Sequence, residues 1–293
     1  MSEARSARPR TPDPAAGDEP TAPSAPGHAF AADPDELLPA HDPFVASGGY
    51  DLDALAEHWS STARRPPISA EAMRGADRRA QALGVSGQAL MEQAGAAVAA
   101  AARALLAQTG RLERGPVLVL AGPGNNGGDG SVAARYLARA GLRVWVVLVA
   151  TEPRPLTTEA ASNWERLDDE RGVERIHATN ERDVRMLVQG IEKASLVIDA
   201  LLGTGVRGVL RQPIRAAVEL AARARAAGVP VLAVDAPTAL DLTSGQPSDP
   251  VVRADATVTF HRPKDGLRTR TGRALAGRQL VAPIGIPRAA DRL

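Results

Sequence analysis

The chain has 293 residues, 44% of them hydrophobic, with 35 basic and 34 acidic side chains. That length supplies a core for one large or two small domains, and the near-neutral charge balance leaves no electrostatic footprint for nucleic acid or an anionic membrane. Cysteine is absent, which excludes a disulfide framework, a cysteine-built zinc site and a thiol nucleophile, and makes a cytoplasmic protein the expectation.

Residues 1–65 contain nine of the 23 prolines, interspersed with Ala, Ser, Asp and Gly. Such a segment buries too little apolar surface to offset its ordering entropy, so a mostly disordered tail is predicted, in which DLDALAEHW (51–59) has the pattern for a short helix able to dock on the domain. Arg5, Arg8 and Arg10 have no apolar segment behind them, so the start does not read as a secretory signal. No apolar stretch reads as long and pure enough to span a membrane.

From Pro66 the texture changes, and residues 66–293 read as one domain. ISAEAMRGADRRAQALG (68–84) places Met73, Ala76, Ala80 and Leu83 at helical spacing, with Ser69 as N-cap and Gly84 as stop. LMEQAGAAVAAAARALL (90–106) is an Ala-rich helix suited to close packing on a sheet. Strands and helices then alternate: strand 116–120, helix 131–140, strand 144–149, helix 157–170, strand 174–178, helix 181–191, strand 196–200, helix 213–227, and strands 231–235, 256–260 and 279–282. Runs such as VWVVLV are unbroken rather than alternating, which indicates burial on both faces and a mostly parallel sheet. The predicted fold is α/β, a Rossmann-like three-layer α/β/α sandwich. Ligands in such folds bind at the carboxyl ends of the strands.

Three polar segments follow strands at that edge. In AGPGNNGGDG (121–130), Gly122, Gly124 and Gly127 spell the dinucleotide fingerprint GxGxxG, but Glu152, beside two prolines, is a poor ribose acceptor, and no GK[ST] follows to make a P-loop. Exposed loop amides before a helix suit a pyrophosphate, whereas Asn125, Asn126 and Asp129 suit a hard cation or a sugar. In VIDALLGTGVRG (197–208), Asp199 ends a buried strand and must be paired, bound to a cation or bracing its loop; the turn again exposes amides, and Arg207 has the geometry to pair a phosphate or to lie solvated. In AVDAPTALD (233–241), Asp235 closes a third strand, Pro237 turns the chain and Thr238 offers a hydroxyl. A desolvated Asp235 is the candidate acid/base group, or it braces the turn or holds a ribose; Lys264, one of only two lysines, is placed after a strand to assist it.

Together the segments ISAEAMRGADRRA, GQALMEQAG, AGPGNNGGDGSVAARYL, VIDALLGTGVRG, VDAPTALD, VTFHRPKDGL and PIGIP resemble the YjeF N-terminal domain family, the NAD(P)HX epimerases, over residues 66 to about 287. The resemblance implies interconversion of the R and S hydrates of NADH and NADPH (NADHX and NADPHX), a dehydratase as functional partner, and a homodimer. It implies that Asn125, Asn126, Gly127, Gly128 and Asp129, then Gly203, Thr204, Gly205, Val206, Arg207, Gly208 and Val209, and also Asp235, contact the hydrate. It assigns a potassium ion (K+) to Asn126, Asp199 and Thr238. Three features depart from the family pattern: Thr238-Ala239 in place of Ser-Gly, Gln93 in place of Asn, and the long tail. The chain ends where a fused dehydratase would be linked, which reads as a stand-alone protein or a divergent partner. The alternative on the same fold is a non-catalytic nucleotide-binding or scaffold module.

Overall fold

The computed structural model describes Met1 and residues 37–203 and 209–292. Among the described residues are eleven α-helices and seven strands. The chain runs α1 (Pro43–Ser47), α2 (Leu52–His58), α3 (Ser60–Ala63), α4 (Ala70–Ala82), α5 (Gly87–Thr109), β1 (Val117–Ala121), α6 (Asn125–Arg139), β2 (Val144–Val149), α7 (Thr158–Glu165), β3 (Val173–Ala178), α8 (Glu181–Met186), β4 (Leu196–Ala200), α9 (Ile214–Ala226), β5 (Val231–Val234), β6 (Ala256–Phe260), α10 (Asp265–Arg268), α11 (Arg270–Ala276) and β7 (Arg278–Ala282).

The strands form one parallel sheet in the order β3-β2-β1-β4-β5-β6-β7. The unbroken apolar strands have the expected cause. Val117, Val119 and Ala121 of β1 join a core with α5 and α6, while Leu118 and Leu120 join a second core with α9 on the opposite face. The fold is therefore the three-layer α/β/α sandwich. The chain steps outward from β1 through β2 to β3, then returns to add β4 on the other side of β1. That reversal opens a crevice beyond the carboxyl ends of β1 and β4.

Helix α4 is capped by Ser69, whose side chain accepts from the Ala72 amide, and α5 by Ser86, which accepts from that of Ala89. Contrary to the expectation, α5 is long and apolar enough to cross a bilayer; it is mostly buried, and its alanines place it in the core of this sandwich. It lies so close to α6 that a Cβ on Gly95 would stand 2.4 Å from the Val132 side chain. Several elements are shorter than the sequence pattern predicts. Helix α7 stops at Glu165 and passes into a 3₁₀ turn, α8 stops at Met186, and β5 stops at Val234 because Asp235 turns to φ +62°.

In the described part of the segment before residue 66, the short helix expected in 51–59 is present as α2 and docks on the domain, and the order extends beyond it to α1 and α3. Residues 43–63 form three helices, and Val45, Tyr50, Leu52, Leu55 and Trp59 are buried in the core that includes α5. Buried Asp42 caps α1 and lies 2.5 Å from His58 Nε2. Gln93, one of the departures, binds this segment: its Oε1 accepts from the Ala40 amide at 2.8 Å. The few large apolar side chains here outweigh the proline-rich composition. Because Leu55 has no exposed surface, Leu55→Ala is expected to cost about 2–5 kcal/mol in denaturant unfolding. A loss under about 0.5 kcal/mol would show that the segment is not part of the cooperative unit.

Candidate functional site

The site is built at the ends of β1, β4 and β5. The glycine-rich string after β1, expected to be a loop before a helix at 131, instead starts that helix: α6 begins at Asn125, with Gly124 as its extended N-cap. Gly127 makes this possible. A Cβ there would stand 1.9 Å from the Gly122 carbonyl oxygen, so the first turn of α6 rests directly on the backbone leaving β1. Tertiary packing thus overrides the low helix propensity of glycine. The first amides of α6 have no helical acceptor and point out of its N-terminus beside the crevice.

Asp199, near the end of β4, has no exposed surface. Its Oδ2 accepts from the Thr238 amide and its Oδ1 from the Thr238 hydroxyl, both at 2.7 Å, and the Leu201 amide adds a longer bond of 3.3 Å. The Thr238 hydroxyl also accepts from the Leu202 amide at 3.1 Å, so one threonine ties the ends of β4 and β5 together. Burial raises the Asp199 carboxyl to about 6 against the opposing pull of these bonds. No basic side chain pairs with it among the described residues. Nearby, Asn126 is buried, its Nδ2 has no hydrogen-bond partner among the described residues, and its Oδ1 would lie 3.0 Å from a Cβ on Gly203.

Asp235 follows β5. Its carboxylate accepts from the Thr259 hydroxyl at 3.0 Å and lies 3.4 Å from Lys264 Nζ. Lys264 is fully buried, and its ammonium also donates to Thr259 Oγ1, the Phe260 carbonyl and the Arg262 carbonyl. These partners supply the pairing that two charges need at this depth. Lys264 stands behind Asp235 and does not line the cavity. Its geometry suits a positioning role beside Asp235, which it reaches from behind.

A cavity of about 370 Å³ joins these pieces, a size suited to a small-molecule group. Of the sequence-derived candidates, Asn125, Asn126, Asp129, Gly203 and Asp235 line it. Gly127 and Gly128 are buried in α6, and Val209 is 84% exposed and does not line the cavity. Thr204 to Gly208, including Val206 and Arg207, lie outside the described residues.

Sequence reasoning missed the wall supplied by α4, where Met73, Arg74, Asp77 and Gln81 face the cavity. The available signal was Asp77 standing four residues after Met73, on the same helical stripe. Burial first, then the nearby Asp235 carboxylate, raises Asp77 to about 6; Lys264 and Arg78 pull the other way. Asp129 is pushed well above the usual carboxylate range, by burial first and then by Asp235 and Asp77. Three carboxylates from three elements therefore feel one another across a single cavity, and like charges so placed do not all ionise together.

The comparisons agree with this geometry. The family described as YjeF-related protein N-terminus matches residues 87–266. The NAD(P)H-hydrate epimerase of Cenarchaeum symbiosum is 38% identical over 230 residues, covering 77% of this chain and 98% of that protein. The chain belongs to the YjeF N-terminal family. The bifunctional NAD(P)H-hydrate repair enzymes Nnr of Pyrobaculum aerophilum and Methanothermobacter thermautotrophicus are 42% and 41% identical, over 74% and 75% of this chain. The chain spans only 41% and 40% of their lengths. The crystal structure of yeast ynu0 superposes with a TM-score of 0.59 at 26% identity, covering 69% of this chain and 83% of that one.

The departure at Ala239 has a structural cost. Its φ is +77°, a backbone region that an L side chain disfavours and glycine tolerates. Ala239→Gly is therefore expected to stabilise the protein by up to about 1 kcal/mol, net of the freedom glycine gains when unfolded. A destabilised variant would show that the methyl group, packed against the core beneath α9, contributes more than the strain costs.

Proposed function

We propose that this chain is an epimerase of hydrated NADH and NADPH. The observation that carries this reading is the convergence of Asn126, Asp129 and Asp235 on one cavity at the reversal point of the sheet. Near-complete coverage of the Cenarchaeum symbiosum epimerase supports it. A non-catalytic module on the same fold has no need of three carboxylates raised or paired around a cavity, because such an arrangement costs stability unless a ligand or reaction uses it.

The reaction inverts the ring carbon that carries the added hydroxyl. Either the hydroxyl leaves and water returns on the other face, or the ring opens and recloses; both routes deliver one proton and remove one. Asp235 is the proposed group for one transfer, held in place by Thr259 and Lys264. The N-terminus of α6 is the proposed seat for the phosphates, through its free amides and favourable dipole. A dehydratase that removes water from the S hydrate is the proposed functional partner.

We further propose that Asn126, Asp199 and Thr238 hold a potassium ion. The fit rests on the donor set: a fully buried carboxylate without a basic partner among the described residues, a threonine hydroxyl and the side-chain oxygen of buried Asn126, oxygen ligands of the kind a hard cation takes. The ion would supply the positive charge that Asp199 lacks and an attachment point for a ligand oxygen. Asp199 and Thr238 would then hold the β4 and β5 ends at the spacing the cavity requires.

Two outcomes test this reading. With R hydrate and a dehydratase that consumes only S, the protein should permit complete consumption of the mixture, and Asp235→Asn should slow conversion by about 10²–10⁴-fold with affinity little changed. An Asp235→Asn variant with the wild-type rate would remove that residue from the chemistry. Replacing potassium by a bulky organic cation should weaken hydrate binding in the wild type but not in Asp199→Ala. Equal binding in both salts would contradict the cation site.

A further inference from the structure

We infer that Asp77 is the second proton-transfer group of the reaction and works in tandem with Asp235. This inference rests on the epimerase reading and extends it to a residue on an element that sequence motifs did not implicate.

Asp77 lies on α4, and Asp235 lies at the end of β5, so the two carboxylates reach the cavity from different walls. Asp77 receives no hydrogen bond among the described residues, whereas Asp235 is held by Thr259 and Lys264. A carboxylate brought to a cavity without a structural partner is free to serve a ligand. Asn126 marks the same cavity as a ligand site independently: it is buried, and its Nδ2 lacks a partner among the described residues. No group of three acidic or histidine side chains is close enough to hold a metal among the described residues, so the carboxylates do not form a metal cluster.

The charged groups facing Asp77 are Asp235 and Asp129 across the cavity, Lys264 behind Asp235, and Arg78 on its own helix; Arg74 lines the cavity beside it. With Asp77 raised to about 6, the group both gives and takes a proton near neutral pH. Asp129 is also pushed upward, by burial first and then by the Asp235 and Asp77 carboxylates.

In one direction, protonated Asp77 delivers its proton to the hydroxyl oxygen of the hydrate. The carbon–oxygen bond breaks, its electron pair leaves with water, and the ring nitrogen lone pair forms a carbon–nitrogen double bond. Water then adds to the other face, the double-bond pair returns to nitrogen, and the added water loses a proton to Asp235. One water leaves, one enters, and nothing is oxidised or reduced. The carboxylates end with their protons exchanged, which is the state needed for the opposite conversion. A pair that swaps roles in this way matches a reaction that interconverts two epimers.

The sign of the pH dependence follows. Asp77 is protonated below about 6 and loses its proton as pH rises through that value, so conversion that uses it as the acid falls on the alkaline side. The test is the pH profile of R-to-S conversion for wild type, Asp77→Asn and Asp77→Glu, with melting temperatures. The expected result is a wild-type limb near pH 6, a 10²–10⁴-fold lower kcat with KM changed less than about threefold in Asp77→Asn, loss of that limb, and partial rescue with the limb restored in Asp77→Glu. An active wild type without a limb near 6, an Asp77→Asn profile that keeps the limb, or a loss confined to KM would overturn the role of Asp77 while leaving the epimerase reading intact. If Asp77→Asn does not fold, the wild-type limb and the Asp77→Glu profile decide. A wild type that converts no R hydrate would instead overturn the epimerase reading, and this inference with it.

Discussion

A carboxylate with no exposed surface, bonded twice to a single threonine, holds the ends of two strands together. Leaving Asp199 at the end of β4 without water costs several kcal/mol unless donors compensate. Thr238 supplies two of them and Leu201 a third. Since Thr238 belongs to the turn after β5, these bonds fix that turn against β4, and the Leu202 amide closes the arrangement through the same hydroxyl. The mouth of the sheet at its reversal point is shaped by this contact.

A second electrostatic layer is built over the first. Asp235 turns out of β5 at φ +62° to face the cavity, and the buried Lys264 lies behind it. Backbone strain at such positions is sustained only where the surroundings over-determine it. Here Thr259 holds the Asp235 carboxylate, and the Val258 carbonyl holds its amide at 2.7 Å. Asp77 and Asp129 then bring two further carboxylates within reach of Asp235, with Lys264, Arg78 and the cavity-lining Arg74 as the positive charges nearby. Carboxylates that feel one another in this way titrate as a coupled set, and this links the architecture to proton-transfer chemistry.

The layered fold was legible because buried parallel strands must be apolar on both faces, and β1, β2 and β4 are. The strand-end residues Asp199 and Asp235 were legible for the same reason: a carboxylate that closes an apolar run has few structural explanations. The start of α6 was not, because three glycines in its first turns argue locally for a loop, and only the close approach of Gly127 to Gly122 explains the helix. Within residues 43–63 the helix at 51–59 was legible from its pattern, but α1, α3 and the extent of their packing were hidden by composition, since the surrounding prolines suggest disorder. Asp77 was hidden by its element. In an amphipathic helix an acid followed by Arg78 and Arg79 reads as solvated surface even when it falls on the apolar stripe, and nothing in sequence shows that this stripe borders a cavity.

The structure of the protein with hydrated NADPH bound tests the central claim most directly. The expected result is the reduced ring in the cavity, with its hydroxyl-bearing carbon between Asp77 and Asp235, the Asn126 amide in contact with the ligand, and the phosphates at the N-terminus of α6. A ring lodged outside this cavity, or a hydroxyl-bearing carbon beyond hydrogen-bonding reach of both carboxylates, would contradict it.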